Sequence, residues 1–262
     1  MRKVIGIGET ILDIIFRNDE PIGAVPGGSV FNGIISLAFL NEQNDAEYIF
    51  YKDHPHDRLD FIMPDIQSDD IVMFGSYYAV NPAIRPQVFA FLSYAKSKGA
   101  ILYYDLNYRA SHRNELMKLT PNIIENLEFA DIVRGSKEDF EIMYNMKDAD
   151  TVYRAQVSFY CKNFIYTQGA ESVQLRGVGG INKAYPVKAT ETVSTIGAGD
   201  NFNAGFVYGL MKYGITHDML EQGLSEAQWS AIVDEAQQFA ANVCQSIHNS
   251  VDIAFGRSKS IG

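Results

Sequence analysis

The stretch Ala100–Ser136, AILYYDLNYRASHRNELMKLTPNIIENLEFADIVRGS, holds two short apolar runs around a longer amphipathic one. AILYYDLN (Ala100–Asn107) and ADIVRGS (Ala130–Ser136) read as strands, being short, apolar and closed by polar or small residues. RNELMKLTPNIIENLEF (Arg113–Phe129) between them reads as a helix. A helix of that length returns the chain to the end where the first strand began, so the two strands run parallel.

The alternation continues outward. Upstream lie a strand, IVMFGS from Ile71, and the helical PAIRPQVFAFLSYAKSKG from Pro82. Downstream come a helix, KEDFEIMYNM from Lys137, and a strand, NFIYTQG from Asn163. KVIGIGE near the N-terminus reads as a buried first strand and ILDIIFR from Ile11 as an alternating second. ESVQLRG and NKAYPVKAT form a hairpin or meander, and EAQWSAIVDEAQQFAANVCQSIHN is a closing helix. The pattern predicts an α/β fold over residues 1–262 as one domain: a doubly wound, mostly parallel sheet with helices on both faces.

One join is irregular. GGSVFNGIISLAFLNEQNDAEYIFYKDHP opens as a helix, yet LAFL and AEYIFYK flank the turn-forming NEQND and read as strand–turn–strand from Leu37. The helix would then be only about two turns long, short against a mean of about 11 residues. Either it is truncated or a segment is missing or disordered near Ser36–Ala38.

Composition sets further bounds. With 47% apolar and 21% charged residues the chain has the make-up of a soluble globular protein. A net charge of −10 repels nucleic acid and anionic membranes, so neither is an expected partner. The opening MRKVIGIGET lacks a signal-peptide pattern, and no run approaches the about 18 apolar residues of a membrane span. Cys161 and Cys244 read as reduced core thiols, which with the missing signal points to the cytoplasm.

Ligands of open parallel sheets bind beyond the carboxyl ends of the strands. Polar groups cluster there: Asp13 in the second strand, then DLNYR, GSKED and TQG after the later ones. Asp105 or Ser136 alone serves equally as a helix cap, and Asp13 as a residue on an exposed strand face. Four such ends on one rim indicate a site. GIGET at Gly6–Gly8 lacks the third glycine of a dinucleotide fingerprint, and no phosphate-binding P-loop motif is present.

STIGAGDNFNAGF (Ser194–Phe206) carries the chemistry. A helix opening at Ala198 or Gly199 leaves its first amides without intrahelical acceptors, and glycines on either side let an anion approach them. Gly197, Ala198 and Gly199 are the expected anion hole. Asp200, in the first turn, is placed to take a proton from a hydroxyl beside it. Phosphoryl transfer asks mainly for such positioning and charge stabilisation. Ala204 and Gly205 would let this helix approach the sheet closely.

This stretch closely resembles the C-terminal signature of the ribokinase-like (PfkB) carbohydrate kinases. GETILD with Asp13, and GGSVFN with Gly27, Gly28 and Asn32, resemble the family's sugar-binding elements. DLNYR resembles its fructokinase and ketodeoxygluconate kinase branches, and GSKEDF stands in the place of its N-x-x-E motif. The resemblance runs from about residue 3 to 250.

It implies a ribokinase-like fold with a small β lid, here with strands within about 9–24 and 37–55, left in question by the join near Leu37. It also implies an ATP-dependent sugar kinase with fructose as first acceptor. Ketodeoxygluconate, ribose or a nucleoside are alternatives, as is a non-catalytic sugar or nucleotide sensor. By resemblance Asp200 is the catalytic base, and Asp13, Gly27, Gly28, Asn32, Asn107 and Arg109 face the sugar, with Arg109 meeting a phosphate or an acidic group. Ser136, Asp139, Thr167, Gly169 and Asn242 line ATP, and Asp139 would hold Mg2+ through water. Ser136 and Asp139 replace the usual Asn and Glu. The family also admits a monovalent cation and a homodimer.

Overall fold

The computed structural model describes residues 2–17, 20–40 and 63–260. They fall into two compact units, the first of residues 2–5, 63–184 and 216–224, the second of residues 6–17, 20–40, 185–215 and 225–260. The strands among the described residues are β1 (Val4–Ile7), β2 (Ile11–Arg17), β3 (Glu20–Gly27), β4 (Ile71–Gly75), β5 (Ile101–Asp105), β6 (Ile132–Ser136), β7 (Asn163–Thr167), β8 (Ser172–Gly177) and β9 (Ile181–Pro186). Those in the seven-stranded sheet are ordered β1-β4-β5-β6-β7-β8-β9, and all but the ends of the outer two lie in the first unit.

β4 to β7 pair in parallel, with Ile71 opposite Ile101 and Ile132 opposite Asn163. β4, β5 and β7 are buried at every residue, which is why IVMFG and ILYYD read as unbroken apolar runs. β7 turns back through Gly169 (φ 54°) into antiparallel β8, and β8 into β9 through Gly179 and Gly180. The helices of this unit are α2 (Ser76–Val80), α3 (Arg85–Ser97), α4 (Leu116–Phe129), α5 (Lys137–Tyr144), α6 (Ala149–Val152) and α8 (His217–Gln222).

α8 is tied down at its first residue. The His217 amide donates to Asp69 Oδ1 at 2.8 Å, and its Nε2 lies 3.3 Å from Asp131 Oδ1. The Asp131 hydrogen bond raises the imidazole pKa, outweighing the opposing effect of burial. This contribution to stability is full below the unfolded value of about 6.5 and fades as pH rises through the folded one. His217→Gln therefore lowers the unfolding temperature more at pH 5.5 than at pH 8.5; equal losses at the two pH values would remove the ion pair from the account.

The second unit holds α1 (Ser29–Ala38), α7 (Ala198–Lys212), α9 (Glu226–Cys244) and α10 (Ile253–Ser258), with β2 and β3 as an antiparallel pair. Gly6 and Gly8 of GIGET are contact points for α1. A Cβ at Gly6 would stand 2.7 Å from Val30 and Ile34, and one at Gly8 2.9 Å from Val30. α1 runs unbroken through Ser36–Ala38 for 10 residues, so LAFL ends a helix and does not begin a strand. Leu37, Phe39 and Leu40 pack on Ala204, Tyr208, Phe239 and Val243, and this apolar surface takes the run as helix end and turn. AEYIFYK, with most of the second expected lid span, lies outside the described residues.

Small residues along α7 also differ from expectation. Gly205 and Gly209 face α9: a Cβ at Gly205 would lie 2.7 Å from Glu235 O, and one at Gly209 3.0 Å from the Ile232 Cα. The two helices thereby approach at backbone distance, around the buried Glu235 carboxylate, which Lys212 and Lys259 each reach at 2.6 Å. Both cysteines are free, Cys161 buried and Cys244 half-buried, and burial pushes the Cys161 thiol up to about 12. No described helix is long and apolar enough to cross a membrane.

Candidate functional site

In the second unit, two helix N-termini meet. α1 starts from Gly28 at φ 125°, where a Cβ would be 2.3 Å from the Glu9 carbonyl. Any L side chain there combines strain with a backbone clash, each of order 1–3 kcal/mol. Gly28→Ala is thus expected to lower the urea midpoint clearly; an unchanged midpoint would show that the turn relaxes. Four residues on, the Asn32 amide closes the first helical bond to Gly28 O at 2.8 Å, and its buried side chain points to α7.

α7 opens at Gly197, a left-handed residue (φ 77°) whose Cβ would lie 3.0 Å from Asn249 O. Asn201 N–H makes the first helical bond to Gly197 O at 2.9 Å. Ala198 differs from expectation, since its amide donates to the Thr195 carbonyl at 3.2 Å. The turn entering the helix takes that donor, and the first-turn position of Gly199 leaves its amide outside the regular intrahelical bonding pattern. Asp200 follows in the first turn, where the helix dipole stabilises a carboxylate. Asn32 Nδ2 donates to Asp200 Oδ2 at 2.8 Å, so the expected sugar-side amide and the expected base touch directly.

The other second-unit residues are placed as follows. Gly27 ends β3 opposite Ile11, and Asp13 lies in β2 opposite Val25. β2 pairs with β3 in a separate two-stranded sheet, so Asp13 does not belong to a strand of the seven-stranded sheet. Sequence alternation cannot tell a sheet strand from a hairpin strand. Asn242, expected near adenine, accepts the Asp252 amide at its Oδ1 (2.8 Å) and so anchors the start of α10.

In the first unit, β5, β6 and β7 are parallel and end on one rim. Arg134, the single cation in β6, is its hub. It donates to Asp105 Oδ1 at 2.9 Å and to Thr167 Oγ1 at 2.8 Å, with both ion-pair partners buried. Burial would lower the guanidinium pKa, but Asp105 and Asp139 more than offset this and raise it. An arginine inside the apolar run ADIVRGS is the sign of this hub in the sequence.

Asp139, expected to hold Mg2+ through water, is buried with both carboxylate oxygens accepting from protein donors. One oxygen accepts the Ser136 amide (2.6 Å) and hydroxyl (2.8 Å) in a capping box at the start of α5, and the other accepts the Tyr108 amide at 2.8 Å. Burial raises its pKa, against the pull of Arg134. Ser136 and Asp139 are therefore a helix cap that also ties down the DLNYR loop. In that loop Asn107, at φ 39°, donates to Ser76 Oγ at 2.8 Å. Arg109 is exposed, and its guanidinium makes no hydrogen bond or ion pair among the described residues. Gly169 sits at the turn after Thr167 with open space where a Cβ would be.

A family model described as pfkB family carbohydrate kinase matches residues 34–250, a span that includes the α7 opening and Asp200. The chain belongs to this pfkB carbohydrate kinase family. The match begins just past Asn32, so the N-terminal elements of this pfkB chain rest on the geometry above.

A 5-dehydro-2-deoxygluconokinase from Geobacillus thermodenitrificans is 27% identical over 208 residues, 74% of this chain and 60% of that protein. Its counterpart from Geobacillus kaustophilus is also 27% identical, over 61% of its length. The chain thus spans about three fifths of the curated relatives it matches. Among solved structures, aminoimidazole riboside kinase from Salmonella enterica, complexed with aminoimidazole riboside and an ATP analog, superposes with a TM-score of 0.80 at 17% identity, over 98% of both chains. Fructokinase from Vibrio cholerae, bound to fructose, ADP and calcium, gives 0.76 at 18% identity, over 99% of both. At such identities the likeness establishes the fold.

Proposed function

We propose that this chain transfers the γ-phosphoryl group of ATP to a hydroxyl of a sugar. The observation that carries the reading is the contact between Asn32 Nδ2 and Asp200 Oδ2 at the glycine-flanked opening of α7. Asn32 donates to one carboxylate oxygen, and in this reading the carboxylate accepts the proton of the acceptor alcohol. The Gly199 amide and the helix dipole stabilise the charge on the migrating group. Gly197 keeps the turn out of the way, because any side chain there would meet Asn249. ATP supplies the phosphoryl group, with a divalent cation to neutralise its charge; Asp139 has no part in holding that ion in this reading.

For the acceptor, a keto-sugar acid such as 5-dehydro-2-deoxygluconate is favoured over fructose. Two findings support it: the names of the curated relatives, and an exposed arginine, Arg109, free to pair with a carboxylate. Asp13, Gly27 and Gly28 are assigned to the sugar with Asn32, and Thr167 and Gly169 to the nucleotide.

The test is ADP formation across 5-dehydro-2-deoxygluconate, ketodeoxygluconate, fructose, ribose and adenosine, with and without potassium. Fastest turnover with an acid, reduced at least about tenfold by Arg109→Ala through loss of a charge-assisted bond, is expected. Fructose as best acceptor would remove Arg109 from the reading, and no turnover with any sugar would favour a sensor.

A further inference from the structure

Asp200 is followed by Asn201, a fully buried polar side chain. Its Oδ1 accepts from Ser36 Oγ at 2.5 Å, and its Nδ2 donates to the carbonyls of Gly197 (2.9 Å) and Asn249 (2.8 Å). Ser36, also fully buried, accepts the Val251 amide on the same hydroxyl at 3.1 Å. Three chain segments, α1, the opening of α7 and Asn249–Val251, are joined by two small side chains. Apolar residues of similar volume would fill the space, and burying polar groups gains little net stability. What the pair does supply is a fixed register.

Ser36 lies one helical turn after Asn32 on α1, so both side chains project from the same face. They meet consecutive residues of α7: Asn32 meets Asp200, and Ser36 meets Asn201. We infer that Ser36 and Asn201 are positioning residues for the Asp200 carboxylate, a role that rests on the reading of Asp200 as the acceptor base. The Ser36–Asn201 contact sets how far along α7 the α1 helix sits, and so sets the 2.8 Å contact of Asn32 with Asp200. The same Asn201 amide holds the Gly197 carbonyl, which keeps the entering turn left-handed beneath the Gly199 amide. Hydrogen bonds weaken steeply with misalignment, and a displacement of about 1 Å at a reacting group can cost about 10²-fold in rate.

The experiment compares Ser36→Ala and Asn201→Ala, each alone and combined with Asn32→Ala, well below their unfolding temperatures. Ser36→Ala is expected to lower kcat by about 10- to 10²-fold, with KM for ATP changed less than about twofold. In the Asn32→Ala background it should lower kcat no further, because the contact it positions is already gone, although its stability loss persists. An undiminished kcat loss in that background would overturn the inference.

A second readout needs no turnover. The side-chain 1H–15N signals of Asn32 should move toward those of a solvated amide in Ser36→Ala, and unmoved signals would also overturn the inference. Absence of sugar-dependent ADP formation in the wild type refutes Asp200 as base, while the Asn32 signals still decide the positioning. Should Asn201→Ala not fold, Ser36→Ala removes only one hydroxyl and carries the test alone.

Discussion

Asp200→Asn is expected to lower turnover by about 10²–10⁴-fold, the range over which a positioned general base acts. The substitution keeps the side chain's shape, and asparagine can still accept from Asn32 Nδ2 through its own carbonyl oxygen. What it loses is the ability to take a proton from the acceptor alcohol. The charge lost in the first turn of α7 costs only about 0.3–1 kcal/mol of helix stability. The fold and sugar affinity should therefore survive, and calorimetric titration with the best acceptor should give a dissociation constant close to that of wild type. Turnover within about threefold of wild type would end the assignment, because general-base catalysis is worth far more than that. A parallel collapse of sugar binding would instead make Asp200 a binding residue.

Arg134→Met is expected to destabilise the chain by about 3–5 kcal/mol, the cost of removing one partner from a buried ion pair. Arg134 lies between Asp105 at 2.9 Å and Thr167 at 2.8 Å, and Asp139 also acts on it electrostatically. Without it, two buried carboxylates stay on one rim with no cation between them. The measurement is the urea midpoint at constant m-value. A loss below about 1 kcal/mol would mean that the pair contributes as little as a surface one. Adding Asp105→Leu should recover part of the loss, since a hydrophobic pair of similar volume can replace a buried ion pair. This result reports the rim's structural chemistry, since Arg134 ties Asp105 to Thr167.

The strands from β4 to β9 were legible because each is short and punctuated, and the helical runs between β4 and β7 fix the parallel direction of those four. The opening of α7 was legible because two glycines just before an aspartate at a helix start have few structural uses. Other features were ambiguous in one dimension. LAFL suits a strand or a helix end equally, and the apolar surface of α7 and α9 decided for the helix. Gly205 gives close approach to any neighbour, and that neighbour is α9. Asp139 is a carboxylate at a strand end, and its burial with three protein donors made it a cap.

By itself, then, the sequence determined the alternation of strands and helices from β4 to β7, their parallel direction, and a helix start that places glycines before an aspartate. These follow from local periodicity and backbone freedom, which need no partner. Only the tertiary structure decided which polar side chains are used up in holding the fold and which remain for chemistry. It spent Asp105, Asp139 and the Asn242 carbonyl on internal bonds, and it brought Asn32 to Asp200 across 168 positions of chain. The physical reason is that a buried polar atom must find a partner, and that partner is named by proximity in space, not in sequence.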